Sequence, residues 1–197
     1  MTRILCTFSV TLLSFKENHW KEEVVGYKAI LFLLTLVFSL FNDLYGKEFQ
    51  MKISSTAFGH NGQIPKKYTC DGSDINPPLK CAEIPANARS LALIVDDPDA
   101  PMGTWVHWVV WNIDPKTAEI KENAVPKGSM QGMNDFRKHD YGGPCPPSGR
   151  HRYFFKLYAL DITLNIGVSA GKAVLESAMK GHILAEAQLI GLYERSR

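Results

Sequence analysis

The chain has 197 residues, of which 45% are hydrophobic and 21% are charged, and its formal net charge is +2. This length fits one domain with some additional chain, and the composition is that of a globular protein that buries a core. The small net charge and the scattered basic residues argue against nucleic acid as a partner.

The first fifty residues differ in pattern from the rest of the chain. An uncharged apolar run at 29–41 has the length of the apolar core of a secretory signal and is shorter than the roughly 20 residues of a membrane span. We interpret residues 1–50 as a leader for export to the periplasm or the exterior, with membrane anchoring as an alternative. A buried helix of the folded domain is the competing interpretation.

The residues upstream of this run include acidic side chains, which do not fit the basic start of a signal. Our hypothesis is that native translation starts later, at Val24 or Val25. N-terminal sequencing of the native protein tests it, and a mature chain that begins at Met1 would contradict it.

Residues 51–197 are predicted to form a single domain that is rich in strands. A loop with many Gly, Asn, Asp and Pro residues occupies 59–85. In the run at 105–113 the odd-numbered and the even-numbered positions are both mainly apolar, which indicates a central strand that is covered on both faces. The predicted strands lie at 51–58, 90–95, 105–113 and 152–160.

The C-terminal part of the chain changes to a helical period. One predicted helix, which Gly181 can end, contains Val174, Leu175, Ala178 and Met179. A second short helix is predicted from Ile183, Leu184, Ala187 and Ile190. Strands first and helices last predict a mainly β protein, an antiparallel β-sandwich with short C-terminal helices.

Two separate segments join a stiff, Pro-rich turn to a hydrophobic strand. Side chains i and i+2 of a strand share a face, so Trp105 and His107 point the same way, and so do His151 and Tyr153. Convergence of the strand ends would bring these side chains together with Asp97, which ends the preceding strand. Trp105 and the Pro-rich loop would then form the wall of one pocket.

The polar residues of this pocket suit a small anion. Histidine N–H groups and a tyrosine hydroxyl donate to phosphate or carboxylate oxygens, and an aspartate beside a histidine orients its ring. The turn at Gly143 and Pro144 could add backbone N–H groups from its neighbours. Without Lys or Arg in the set, we expect modest affinity that rises as pH falls toward about 6.

Each of these features also has a plainer interpretation. Asp97, Pro98 and Asp99 could form an ordinary turn, and His107 could be a core histidine with a satisfied hydrogen bond. Tyr153 taken alone is most simply a core residue. The combination of all of them in one chain favours the pocket.

The segments 97–101, 105–108 and 143–153 resemble the phosphatidylethanolamine-binding protein family, in its bacterial and archaeal branch of Raf-kinase-inhibitor-like proteins. The segments 68–72, 131–136 and 181–187 also fit this branch. The resemblance extends from about Lys52 to Arg197 and implies an antiparallel β-sandwich with an anion pocket near one end. The ligand-binding residues that it implies are Asp97, Trp105, His107, Gly143, Pro144, His151 and Tyr153.

The resemblance also implies partners and covalent features. The expected ligand is phosphate, a phosphorylated headgroup or a similar anion, and the expected assembly is a homodimer. Some members bind kinases and some inhibit serine proteases, so an inhibitor that acts through surface loops is the alternative function. The resemblance pairs Cys70 with Cys145 and leaves Cys81 free, with Cys70–Cys81 as the other pairing, and it implies a cis peptide bond near the Asp97–Pro98 turn.

The sequence gives an enzyme little support. Residues 167–171 match the spacing of the G-x-S-x-G pattern of serine hydrolases, but the preceding predicted strand ends at 160 and does not lead directly into it, and the sequence has no H-E-x-x-H pair of metal ligands. Asp97, His107 and His151 could form a two-histidine, one-carboxylate metal site, which is the weaker alternative. We therefore predict a binding protein without a cofactor rather than an enzyme.

Overall fold

The computed structural model describes residues 50–195 together with Phe32 and Thr35. Apart from these two residues and residue 50, the predicted leader falls outside the described residues, so export, anchoring and the late start stay predictions. Within the described part of the chain, no helix combines the length and apolar character needed to cross a membrane.

Strands dominate the compact unit to which residues 50–195 belong. The strands are β1 (Lys52–Ser54), β2 (Gly62–Gln63), β3 (Leu79–Ala82), β4 (Ser90–Asp97), β5 (Trp105–Ile113), β6 (Glu119–Ile120), β7 (Met130–Gln131), β8 (Arg150–Leu160) and β9 (Ile183–Glu194). The described helices are a 3₁₀ turn at Lys66–Tyr68 and helix α1 at Lys172–Met179. The chain is therefore mainly β, as predicted.

The strands form two sheets. The smaller sheet has the order β1-β3-β6, and the larger has the order β2-β9-β8-β4-β5-β7. The pairs are antiparallel except for the short contact between β2 and β9. The four long strands β9, β8, β4 and β5 lie side by side in the centre of the larger sheet and carry the functional cavity described below.

Alternate side chains of β4 enter two different cores. Leu91 and Leu93 belong to the core between the two sheets, where they join residues of the small sheet such as Ile53. Ala92 and Ile94 belong to a second core on the opposite face of the large sheet, which α1 helps to cover. The central strands are thus buried on both faces, as the apolar pattern of 105–113 predicted for β5.

The prediction of a second C-terminal helix is wrong, because residues 183–194 form β9, which pairs with β8 along nearly its whole length. Leu189 and Tyr193 are buried against the core, whereas Glu186 and Gln188 face outward. This alternation has the period of a strand, and pairing with β8 outweighs the helix propensity of an Ala-rich segment.

Three smaller predictions also differ from the structure. The first strand is shorter than predicted and covers only Lys52–Ser54. The predicted loop at 59–85 contains the 3₁₀ turn and the strands β2 and β3. No cis peptide bond occurs among the described residues, so the predicted cis bond near Asp97 is wrong.

Candidate ligand-binding site

A cavity of about 370 Å³ opens at one end of the large sheet, where β4 ends and where β5 and β8 begin. Antiparallel pairing brings these three strand ends together, because Asp97 pairs with Trp105 and Asp96 pairs with Phe154. The cavity is lined by Asp97, Ala100, Pro101, Met102, Trp105, His107, Phe136, Cys145, Pro147 and His151. The strand ends therefore converge, which is the condition on which the predicted pocket depended.

The predicted site residues fall into two groups. Those that line the cavity are Asp97, Trp105, His107 and His151. Tyr153 lies behind them, with its ring centre 5.2 Å from that of His107. Gly143 and Pro144 are buried in the adjoining loop and do not line the cavity.

Asp97 and His151 form a nearly buried pair. The Nδ1 atom of His151 lies 2.8 Å from Oδ2 of Asp97, and their side chains are 8% and 5% exposed. The other carboxylate oxygen accepts the backbone N–H of Asp99 at 2.8 Å. An ionised carboxylate only accepts, so Nδ1 of His151 carries hydrogen and the Nε2 atom is left for other partners.

His107 is held in the same way by a carbonyl group. Its Nδ1 atom lies 2.7 Å from the carbonyl oxygen of Gly142, and a carbonyl can only accept, so Nδ1 is the protonated nitrogen. The rings of Phe136 and Tyr153 pack edge-on against the imidazole at 5.3 and 5.2 Å. Burial lowers the pKa of His107, although the Gly142 hydrogen bond and the charge of Asp97 oppose this.

Tyr153 places a hydroxyl beneath this pair of histidines. The side chain is buried, and its hydroxyl lies near Asp97 and the Cys145 N–H without a well-formed hydrogen bond to either. Burial and the negative charge of Asp97 raise the pKa of Tyr153 well above its usual range. A buried hydroxyl without a partner is a group that an ordered water or a ligand can satisfy.

The loop that contains Gly143 and Pro144 is tied to the segment after the 3₁₀ turn. The N–H of Gly143 donates to Oδ1 of Asp74 at 2.7 Å, and the N–H of Cys70 donates to the Pro144 carbonyl at 3.2 Å. A disulfide joins Cys70 to Cys145, with their Cα atoms 5.4 Å apart. These ties engage the Gly143 N–H within the protein and hold the neighbouring Gly142 carbonyl against His107.

The free cysteine of the described residues is Cys81, which is buried in the core between the sheets. Burial raises the pKa of its thiol to about 11, which disfavours the reactive thiolate.

The sequence analysis identified Trp105 and the Pro-rich loop as wall residues but did not identify Phe136. Phe136 packs edge-on against Trp105, with ring centres 5.4 Å apart. Its position depends on Asp135, whose side chain accepts the N–H of Val106 and whose own N–H donates to the Val106 carbonyl. A polar residue that follows a glycine-rich turn gives no local signal of this long-range pairing.

The turn between β4 and β5 is fastened to β8. Asp99 accepts two hydrogen bonds from the guanidinium of Arg152, at 2.9 and 2.6 Å, and one from its backbone N–H at 2.9 Å. The Arg152 hydrogen bonds lower the pKa of Asp99 to about 2. This clamp positions Ala100 and Pro101 at the mouth of the cavity.

The charges near the cavity are few. Among the described residues that line it, the ionisable groups are Asp97, His107 and His151, and no Lys or Arg is present. Nowhere in the described part of the chain do three His, Cys, Asp or Glu side chains converge to hold a metal ion, so the geometry gives the metal alternative no support.

The fold and the cavity define an antiparallel two-sheet β protein with a pocket whose floor is polar and whose walls are apolar. Residues 54–194 match the sequence model of the phosphatidylethanolamine-binding protein family. The chain belongs to this family.

Similar proteins occur in archaea and in bacteria. A UPF0098 protein of Methanothermobacter thermautotrophicus is 52% identical over 150 residues, which are 74% of this chain and 99% of the relative. A UPF0098 protein of Chlamydia muridarum is 45% identical over 150 residues, with the same coverage.

Two crystal structures share the fold. One is a putative phosphatidylethanolamine-binding protein homolog of Chlamydia trachomatis, 42% identical, with a TM-score of 0.73 over 76% of this chain and 100% of the other. The second is E. coli YbcL, a member of the mammalian PEBP family, 28% identical, with a TM-score of 0.71 over 75% of this chain and 99% of the other.

Proposed function

We propose that the protein binds a small anion, a phosphate or a phosphorylated headgroup, in the cavity above Asp97, His107 and His151. One observation carries the proposal. Each histidine uses Nδ1 for a fixed partner within the protein, and its Nε2 atom has no hydrogen-bond partner among the described residues. Neither Nε2 is among the fully buried unpartnered atoms, so both are available at the cavity that these rings line.

The walls of the cavity support a ligand with an apolar portion beside its anionic group. Trp105 and Phe136 form one aromatic side, and Pro101 and Pro147 add apolar surface near the mouth. A ligand that places a short alkyl or aryl group against them would bury apolar area as well as form hydrogen bonds. Because no Lys or Arg lines the described cavity, we expect a dissociation constant of about 0.1–1 mM for small probes.

Isothermal titration of the full chain with phosphate and with phosphorylethanolamine tests the proposal. We expect His107→Ala and His151→Ala, singly and together, to abolish the binding that the unmodified protein shows. Circular dichroism checks that the variants remain folded. Binding that survives unchanged in the double variant would place the ligand elsewhere.

His182 provides a matched control for these variants. Its Nδ1 also pairs with a carboxylate, at 2.9 Å from Asp161, but it is 41% exposed and does not line the cavity. We expect His182→Ala to bind the anion with unchanged affinity. Regulation of a partner kinase or protease and homodimer formation remain predictions that follow from the resemblance, and export remains a prediction that follows from the apolar run at 29–41.

A further inference from the structure

The two histidines of the cavity both keep their fixed proton on the nitrogen that faces the protein. In His107 the acceptor of this proton is the Gly142 carbonyl at 2.7 Å, and in His151 it is the Asp97 carboxylate at 2.8 Å. A neutral imidazole has only one N–H. When His107 is neutral, its Nε2 atom therefore presents a lone pair to the cavity.

A lone pair at this position is unsuited to a fully ionised phosphate. Phosphate oxygens without hydrogen are also acceptors, so the two groups can form a hydrogen bond only if one additional proton lies between them. This proton can sit on His107 or on the ligand. The surroundings of His107 decide which of the two is favoured.

The groups that face His107 come from three elements. Asp97 lies at the end of β4, His151 and Tyr153 lie on β8, and the 136–142 segment contributes the Gly142 carbonyl and the Phe136 ring, while Asp96 acts on His107 only through its charge. Both acidic residues already have partners, since Asp97 pairs with His151 and Asp96 pairs with Lys156 and Lys172. Burial among aromatic rings opposes a charge on His107.

A phosphomonoester supplies the proton at little cost. Its second pKa is about 6, so a substantial fraction is singly protonated near neutral pH. The P–OH group of this monoanion can donate to Nε2 of His107. An ionised oxygen of the same group can accept from Nε2–H of His151 where that ring already carries its second proton in the free protein, so this contact adds no proton to the one counted at His107.

We propose that the cavity selects phosphomonoesters in their singly protonated form, and that binding takes up one proton from solvent when the free ligand is a dianion. This inference rests on the proposed function and narrows its ligand class. No covalent bond forms or breaks; one proton moves from the solvent to the contact between the ligand and His107. Sulfate esters, which have the same shape but no acidic proton, are expected to bind poorly.

Phenyl phosphate and phenyl sulfate are matched probes for this inference, since both place an aryl ring against Trp105 and Phe136. Titration calorimetry of the full chain at pH 6 should show phenyl phosphate binding about tenfold or more tightly than phenyl sulfate, because only the phosphate satisfies Nε2 of His107. At pH 8, heats measured in two buffers of different ionisation enthalpy should indicate uptake of about one proton per ligand.

The His107→Gln variant distinguishes the hydrogen bond to the ligand from the uptake of a proton. A glutamine amide can donate without taking up a proton, so this variant should bind phenyl phosphate at pH 8 with little dependence of the heat on the buffer. Equal affinity for the two probes, or uptake that persists undiminished in His107→Gln, would overturn the inference while leaving the proposed function intact.

Two further outcomes keep the test decisive. If His107→Gln does not fold, the comparison of the two probes and the two buffers in the unmodified protein still gives the answer. If neither phosphate, phosphorylethanolamine nor phenyl phosphate binds to the unmodified protein, the proposed function fails and this inference fails with it; if only phenyl phosphate does not bind, the inference fails and the proposed function stands.

Discussion

Asp97 and His151 are 54 positions apart in the chain, yet Oδ2 of Asp97 lies 2.8 Å from Nδ1 of His151. The contact exists because β4 ends where β8 begins, on neighbouring strands of one sheet. Both side chains are nearly buried, and the second oxygen of Asp97 is occupied by the Asp99 N–H. The carboxylate thus fixes both the orientation of the ring and the nitrogen that faces the cavity.

The pairing of Asp97 with His151 predicts a change in anion affinity opposite to the change that charge repulsion alone would cause. Asp97→Asn removes a negative charge beside the proposed anion, which alone would strengthen binding. We expect binding of phenyl phosphate to weaken about tenfold instead, because an amide lacks the negative charge that pairs with His151 and no longer fixes the orientation of its ring.

Titration calorimetry at pH 6 measures this effect. Asp161→Asn is the matched control, since it alters the equivalent carboxylate of the exposed pair with His182 and should leave affinity unchanged. Tighter binding by Asp97→Asn would contradict the orienting role of Asp97.

The second prediction concerns the clamp between Asp99 and Arg152. The pKa of Asp99 falls from 3.8 to about 2 in the folded protein, mainly through hydrogen bonds from Arg152. A lowered folded-state pKa stabilises the protein fully above pH 4, and this contribution is lost as the pH falls toward 2. Arg152 is about half exposed, so solvent screening reduces the contribution to about 1 kcal/mol.

Urea unfolding of Asp99→Asn and of the unmodified protein between pH 7 and pH 2 checks this prediction. The difference in the free energy of unfolding should be about 1 kcal/mol at pH 7 and should shrink below pH 4. Asp140→Asn serves as a control, because Asp140 is exposed and its carboxylate has no hydrogen bond or ion pair within the described residues. A difference that is constant with pH would show that the clamp is not electrostatic.

The sequence was sufficient to predict the parts of this molecule that depend on strong local patterns. The apolar runs of β4, β5 and β8 predicted three long strands, and the proposed meeting of Asp97, His107 and His151 required that the ends of these strands converge, as they do in the structure. Turn residues bounded those runs, so the strand ends could be located to within a few positions.

The parts that were missed depend on long-range pairing. Residues 183–194 contain helix-favouring Ala, Glu and Leu, and the strand pattern decides the outcome only because β8 is there to pair with. Phe136 enters the cavity wall because Asp135 pairs with the backbone of Val106. Neither partner can be identified from the neighbouring residues alone.

The third prediction concerns the disulfide between Cys70 and Cys145, which closes a loop with a sequence separation of 75. A loop of this size restricts the unfolded chain, and its removal typically costs about 3 kcal/mol. We expect the double variant Cys70→Ser, Cys145→Ser to unfold at lower urea concentration by a corresponding amount.

The hydrogen bonds from Gly143 to Asp74 and from Cys70 to Pro144 would still hold the pocket loop in the folded state of that variant. Its affinity for phenyl phosphate should therefore fall by less than about tenfold. A reductant should lower the urea midpoint of the unmodified protein and leave that of the double variant unchanged. An equal shift in both would show that the disulfide is not the stabilising element.

The last prediction tests how closely the pocket loop packs against its neighbour. A Cβ atom added to Gly143 would lie 2.5 Å from Oδ1 of Asp74, 2.6 Å from the Tyr68 carbonyl oxygen and 2.8 Å from Cα of Thr69. Two of these atoms belong to the backbone of a segment that the disulfide also holds, so it cannot move aside easily. We expect Gly143→Ala to lower the free energy of unfolding by about 2 kcal/mol.

Gly59→Ala is the matched control, because nothing lies within 4 Å of the Cβ position at Gly59. We expect this variant to differ from the unmodified protein by less than about 1 kcal/mol, since it meets no steric conflict. Chemical denaturation of both variants measures the difference, and titration with phenyl phosphate adds a second readout. Displacement of the Gly143 loop would move the Gly142 carbonyl away from His107, so Gly143→Ala should also weaken binding. A Gly143→Ala protein as stable as Gly59→Ala, with unchanged affinity, would mean that the loop yields freely and does not fix the position of His107.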